Sequence, residues 1–175
     1  MSNDEEQEYF ADGITEDIIA NLSLWKTFPV ISRNSSFSFK NSTEKSDVIS
    51  KALGARYLVE GSVRKAGNKV RITAQLTSAD DDKQIWSKRW DRSLEDIFEV
   101  QDEVSRDVAA LISPALKDQE QVKLSTKGKK NFGAWDEYLQ GLNIYNTQDF
   151  VGTTLGDKVI EHCKRAIELD ANFCD

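Results

Sequence analysis

The feature that most constrains the fold is an alternation of apolar and polar residues over two neighbouring segments. The apolar residues lie two or four positions apart: Tyr57, Val59 and Val63 in the first segment, and Val70, Ile72, Ala74 and Leu76 in the second. Gly67-Asn68 lies between the two segments, and both residue types tolerate the positive φ that a two-residue hairpin turn requires. The pattern therefore predicts an antiparallel hairpin with one buried face.

A third strand is predicted over residues 84–91, after the acidic loop Asp80-Asp81-Asp82. Its alternation places Trp86, Lys88 and Trp90 on one face. Aromatic side chains on a strand can stack on bases or sugars. They can equally form core beneath a helix, here residues 94–112, and we favour this second interpretation. The three strands then form an antiparallel meander.

Helical spacing of apolar residues predicts helices over residues 12–26, 44–53, 94–115, 132–146 and 155–169. The apolar run at 28–31 predicts a short buried strand, with Pro29 near its start. The fold class is therefore α+β, a mixed sheet with its meander covered by helices, followed by a helical hairpin. We expect a domain over 1–116, a linker of low hydrophobicity over 117–130, and the hairpin over 131–175.

Composition excludes several classes of protein. The 175 residues carry 30 acidic and 23 basic side chains, a formal charge of −7. That balance argues against a nucleic-acid partner, because phosphate contacts need clustered Lys and Arg. No apolar run reaches the roughly 20 residues of a membrane-spanning helix. We expect a fragment with neither nucleic-acid contact nor membrane segment.

The sequence contains none of the common catalytic motifs, so no catalytic residues and no cofactor are predicted. Glycine-rich phosphate loops, HExxH and GxSxG are missing from the sequence. The single histidine, His162, neighbours Cys163, but adjacent helical residues point to different faces, so no metal site is expected. One candidate ligand site follows the predicted strand at 28–31: Arg33, Asn34, Ser35 and Ser36 could bind an anion. The alternative is a polar turn whose side chains cap the next segment.

Six blocks of the sequence resemble the TolB-like amino-terminal domain of bacterial multidomain regulators, in that family's order. They are residues 9–17, 30–37, 54–64, 70–76, 85–92 and 97–103, and we take the resemblance to extend over residues 9–112. Members of the family usually carry an apolar strand before the acidic segment, and residues 1–10 contain none. An unpaired sheet edge recruits another strand. We therefore expect a homodimer through an open edge near Val30.

The last 45 residues resemble the start of a tetratricopeptide (TPR) array. Tyr138-Leu139-Gln140-Gly141 with Tyr145 is similar to a first helix, and residues 166–173 are similar to the end of a second. A single repeat cannot bury its own apolar face, so the hairpin is expected to be the truncated start of a longer array. The resemblance implies a protein partner, with Tyr138 and Tyr145 as the candidate contact residues.

These resemblances imply a non-catalytic regulatory module of a larger signalling protein. The output domain would resemble an adenylate or guanylate cyclase, and the repeats would relay partner binding to it. The alternative is a small-ligand sensor, for a nucleotide or anion, in a cyclase or in a winged-helix transcription activator. A cyclase-like parent implies the cytoplasm, whereas a membrane-anchored activator would place this region in the periplasm.

Overall fold

A computed structural model of the chain describes residues 5–80, 82–113, 131–147 and 153–171. The described elements, in chain order, are α1 (Glu5–Ser23), α2 (Arg33–Phe37), α3 (Ser46–Leu53), β1 (Tyr57–Ala66), β2 (Lys69–Ser78), β3 (Lys83–Ser93), α4 (Ile97–Ile112), α5 (Phe132–Thr147) and α6 (Thr153–Leu169). A short 3₁₀ turn, Leu94–Asp96, joins β3 to α4. The three-stranded antiparallel sheet and the helices confirm the predicted α+β class.

The chain divides into two compact units. Among the described residues, one unit contains 14–80 and 82–113, and the other contains 5–13, 131–147 and 153–171. The boundary falls within α1, between Gly13 and Ile14, whereas the sequence-based division kept residues 1–116 together. The predicted linker over 117–130 lies outside the described residues. The TolB-like and TPR-like identities of the two parts stay predictions.

The sheet of the larger unit follows the predicted alternation. Its strands lie in the order β1-β2-β3, and every pairing is antiparallel. Because Ala66 pairs with Lys69, Gly67 and Asn68 form the two-residue turn. Gly67 has a φ of 59°, in the left-handed region where a side chain would be strained. The predicted hairpin is thus formed in the predicted register.

One face of the sheet is buried beneath α4. The side chains that β2 contributes to this face are at most 4% exposed: Val70, Ile72, Ala74 and Leu76. The stripe that α4 contributes is at most 1% exposed: Ile97, Val100, Val104 and Val108. Burying each Val, Leu or Ile side chain stabilises the fold by roughly 1.5–3 kcal/mol. Trp90, which pairs with Ile72, is also fully buried, so the core interpretation of the third strand is confirmed for Trp90.

The second part of α1 is held to α4 by polar contacts. Gln101 is buried, and its amide donates to a carboxylate oxygen of Asp17 over 2.9 Å. Asn21 donates to Asp102 over 3.2 Å. A buried amide without a partner would cost free energy, so the Asp17 contact satisfies Gln101 as well as orienting the two helices.

The predicted strand at 28–31 is wrong. Residues 28–32 have no regular secondary structure, although Val30 and Ile31 are half-buried. A strand is stable only with a hydrogen-bonded neighbour, and no described strand pairs with this segment. Pro29 also lacks the N–H that a ladder needs. Every described strand pairing is antiparallel. The open sheet edge expected near Val30 is not formed by a described strand.

Two further local expectations differ from the structure. The helix predicted over 12–26 begins at Glu5 and ends at Ser23. Its early start follows from Phe10, which is fully buried within the smaller unit. The polar turn expected around residues 33–36 is instead the short helix α2. By contrast, α3 ends as predicted, because Gly54 adopts a left-handed φ of 64° just after it.

Candidate functional site

The smaller unit is built on the pair of helices α5 and α6, which one asparagine ties together. The Asn131 Oδ1 atom accepts from the backbone N–H of Gly133 over 2.9 Å and of Ala134 over 3.3 Å, which caps the start of α5. The Asn131 side-chain amide donates to the carbonyl of Leu169 over 3.0 Å, at the end of α6. One side chain therefore satisfies both a helix start and a helix end.

A close approach and a side-chain hydrogen bond hold the middle of this helix pair. A Cβ atom at Gly141 would lie 3.2 Å from the Cβ of His162, so the absence of a side chain there lets α6 approach α5. His162 Nδ1 lies 2.8 Å from a carboxylate oxygen of Glu137. The chain's single histidine thus pairs with a carboxylate on the facing helix. Among the described residues, no group of three or more His, Cys, Asp or Glu side chains is arranged to hold a metal ion.

The start of α1 covers one side of α5. The Phe10 ring contacts Phe132 and Trp135, with ring centroids 6.4 Å and 5.5 Å away and edge-to-face angles. The Tyr9 hydroxyl donates to an Asp136 carboxylate oxygen over 2.9 Å. These aromatic contacts give the smaller unit a core that two helices alone would not supply.

Large apolar side chains of both helices remain exposed. The two predicted partner-binding residues, Tyr138 and Tyr145, lie seven residues apart on α5 and are 38% and 57% exposed. Two residues of α6 at the same spacing, Ile160 and Ile167, are 52% and 50% exposed. Residues seven apart share a helix face, so α5 presents two exposed tyrosines on one face and α6 presents two exposed isoleucines on one face. Their role in binding a partner stays a prediction.

The predicted anion site lies on α2, with Arg33, Asn34, Ser35 and Ser36 as consecutive residues of that helix. Arg33 is already engaged: its Nε lies 2.9 Å from a Glu16 carboxylate oxygen, and its guanidinium lies 4.2 Å from the centre of the Phe37 ring. The Arg33 N–H is not aligned for a hydrogen bond, so the contact with Glu16 is an ion pair. An anion would have to compete with Glu16 for this charge.

The serines of α2 also make local contacts. Ser32 caps the helix by accepting from the backbone N–H of Ser35 over 3.4 Å, and the two hydroxyls lie 3.1 Å apart. The Ser36 hydroxyl donates to the Ser32 carbonyl over 3.1 Å. These contacts are those expected if the polar side chains cap and stabilise the local backbone, which was the alternative to an anion site. Ligand binding at these residues is untested and stays a prediction.

A charged cluster joins β3 to α4 in the larger unit. The Trp90 indole N–H donates to a Glu103 oxygen over 2.8 Å, and Lys88 donates to Asp107 over 2.9 Å and to Glu103 over 3.4 Å. The hydrogen bond from Trp90 lowers the pKa of Glu103, and Lys88 and Arg92 lower it further. The hydrogen bond to Asp107 raises the pKa of Lys88. Helical spacing identifies only the apolar stripe of α4, so it does not show that Glu103 contacts a side chain of β3.

Comparisons with known proteins identify one relative over most of this chain. No family model matches the chain, and no solved structure matches it significantly. The chain is similar to a protein of Rhizobium meliloti (strain 1021) named "Putative adenylate cyclase 3", with 47% identity over 136 residues. Those residues are 78% of this chain but 23% of the relative, so the chain spans about a quarter of that protein's length. The relationship covers most of this chain. None of the described helices is long and apolar enough to cross a membrane.

Proposed function

We propose that this chain is a non-catalytic regulatory and protein-interaction module of an adenylate cyclase-related signalling protein. Its smaller unit binds a protein partner, and the binding changes the output of a cyclase-like domain. The similarity to a relative named as an adenylate cyclase, over most of this chain, is the observation that supports the cyclase association. The same proposal places the module in the cytoplasm, where the substrate ATP is made.

The exposed residues of the smaller unit support the interaction role. Tyr138 and Tyr145 on α5 present large, amphipathic side chains of the kind enriched at the centres of protein interfaces. Ile160 and Ile167 add exposed apolar area on α6. Helical pairs that resemble TPR units commonly act in arrays whose surfaces bind partner segments. The proposal assigns these four residues to the partner interface.

The non-catalytic part is tested with the isolated chain. Incubated with ATP and Mn²⁺, the chain is expected to form no cyclic AMP above the level of buffer alone. The relay part is tested by replacing the matching segment of the Rhizobium relative with this chain and measuring cyclic AMP in Rhizobium cells. The double variant Tyr138→Ala/Tyr145→Ala is expected to change that output, while a matched Glu95→Ala/Glu99→Ala variant on the exposed side of the larger unit leaves it unchanged. Cyclic AMP from the isolated chain, or identical output from both variants, would contradict the proposal.

A further inference from the structure

The outer edge of β1 has no neighbouring strand among the described residues. β1 pairs with β2 along its whole length on one side, and the sheet order ends there. Val59 is 38% exposed, and Gly61 and Ser62 are exposed as well. An edge strand presents a row of unpaired N–H and C=O groups, which can pair with another strand. A ten-residue strand is long for an edge, since edge strands that avoid association are usually short.

The other edge of the sheet, β3, is protected in ways that β1 is not. Five of its eleven residues are charged, and the register with β2 is interrupted by a bulge at Leu76/Thr77. Charge and bulges are the usual devices that discourage strand pairing. In β1 three of ten residues are charged, and its pairing with β2 has no register shift. The two edges therefore differ, and β1 is the edge suited to strand addition.

We propose that β1 pairs with β1 of a second copy of this chain, antiparallel and centred on Ser62. A pairing between identical edges has two-fold symmetry, and residues at equal distances on either side of the centre then lie opposite each other. Glu60 and Arg64 lie two residues to either side of Ser62 and share its face of the strand. Each Glu60 therefore faces an Arg64 of the other copy, which makes two opposite-charge pairs in one interface.

The charges favour this register over those centred on Glu60 or on Arg64. Centring the pair on Glu60 or on Arg64 would oppose two like charges, which is destabilising across strands. Arg64 makes no ion pair within the described part of the chain, so its charge is available. Glu60 accepts from the side-chain amide of Gln75 over 3.1 Å, which leaves its second oxygen for a further contact. On the opposite face, Val63 would lie against Gly61 of the other copy.

Crosslinking tests the centre of symmetry directly. In the full chain with Cys163→Ser and Cys174→Ser, the Ser62→Cys variant places two thiols opposite each other across the symmetry axis, at about 4.5–5.5 Å between Cβ atoms. Mild oxidation is expected to convert most of this variant to a disulfide-linked dimer. The matched Ser87→Cys variant, on an exposed position of β3, is expected to form little disulfide-linked dimer. Equal crosslinking of the two variants, or none of either, overturns the proposal.

Charge reversal tests the register. Light scattering of the full chain at high micromolar concentration is expected to give twice the 19.8 kDa chain mass. Glu60→Arg and Arg64→Glu are each expected to raise the dimer dissociation constant by about tenfold, because two attractive pairs become repulsive. The double variant restores the pairs and is expected to return to within about threefold of the original constant. Glu99→Arg on α4 is the control for charge alone and should have no effect. A monomeric mass, or a double variant no better than the singles, overturns the proposal.

Discussion

Helices α4 and α6 are similar in length, at 16 and 17 residues, and each has an apolar stripe, yet the two stripes have different fates. The stripe of α4 is covered by the sheet, and Val104 and Val108 are fully buried. The stripe of α6 is covered only in part, since Ala166 is buried while Ile160 and Ile167 remain half-exposed. An apolar face that the fold covers contributes to stability. One that the fold leaves exposed is available to a partner.

The largest effect is expected where the apolar face is covered. Replacing Trp90 by Ala removes a buried ring and its hydrogen bond to Glu103, and should lower the free energy of unfolding of the larger unit by about 3–5 kcal/mol. Urea denaturation followed by circular dichroism measures this change. Ile85→Ala, at an exposed position of the same strand, is the control and should cost less than about 0.5 kcal/mol. Equal losses for both variants would mean that α4 does not cover β3 as described.

In the smaller unit, a sizeable effect is expected at Asn131. Asn131→Ala removes the cap of α5 and the contact with Leu169, and should destabilise the helix pair by about 1–2 kcal/mol. Amide hydrogen exchange in α5 and α6 should then speed up by about 5–30-fold. Asn131→Asp keeps the acceptor for the cap but loses the donor to Leu169, so it should give an intermediate rate. If the Asp variant exchanges as fast as the Ala variant, the cap contributes little.

A smaller, pH-dependent effect is expected at the cluster between β3 and α4. Because contacts in the folded state lower the pKa of Glu103, ionised Glu103 stabilises the folded chain above the unfolded-state value of roughly 4.3. That contribution is lost as the pH falls through the lower folded-state pKa. Glu103→Gln should therefore cost about 0.5–1 kcal/mol at pH 7, with the difference from the original chain closing under strong acid. Denaturation of both proteins from pH 7 to pH 3 measures it, and a pH-independent difference would count against the ionic role.

The smallest stability effect is expected where the apolar face is exposed. The double variant Ile160→Ala/Ile167→Ala should change the free energy of unfolding by no more than about 0.5 kcal/mol per site, because neither side chain is covered. A thermal or urea melt of the full chain checks this. A loss like that of Trp90→Ala would show that α6 is covered by the chain itself, and the comparison between the two helices would fail.

Local patterns predicted most of the secondary structure, because periodicity reports on the face that each element buries. The hairpin, α3, α4, α5 and α6 all lie where their apolar spacing places them. The strand at 28–31 was predicted wrongly because a strand also needs a neighbour, and no local pattern shows whether one exists. The start of α1 was missed because residues 5–11 are mostly polar, and the contact of Phe10 with Trp135 joins residues far apart in sequence.

The candidate site was predicted unevenly for the same reason. Tyr138 and Tyr145 were named as partner contacts because their segment resembles a TPR helix; the structure exposes both, and their role stays a prediction. The role of Glu103 could not be predicted, because its partner Trp90 lies on a different element. Arg33 was noticed as a charge in a polar segment, but its pairing with Glu16 depends on the packing of α1 and α2.

The most direct test of the central claim is site-specific photo-crosslinking of the exposed helix pair. A photoreactive phenylalanine analogue replaces Tyr145 in one sample and Glu99, on the solvated side of α4, in a control. In an extract of the source cells, the position-145 probe is expected to capture a partner that the position-99 probe does not. Ile160→Ala/Ile167→Ala should abolish that capture with little change in the melting temperature. The same products from both probe positions, or capture that survives the double variant, would contradict the assignment of this face to partner binding.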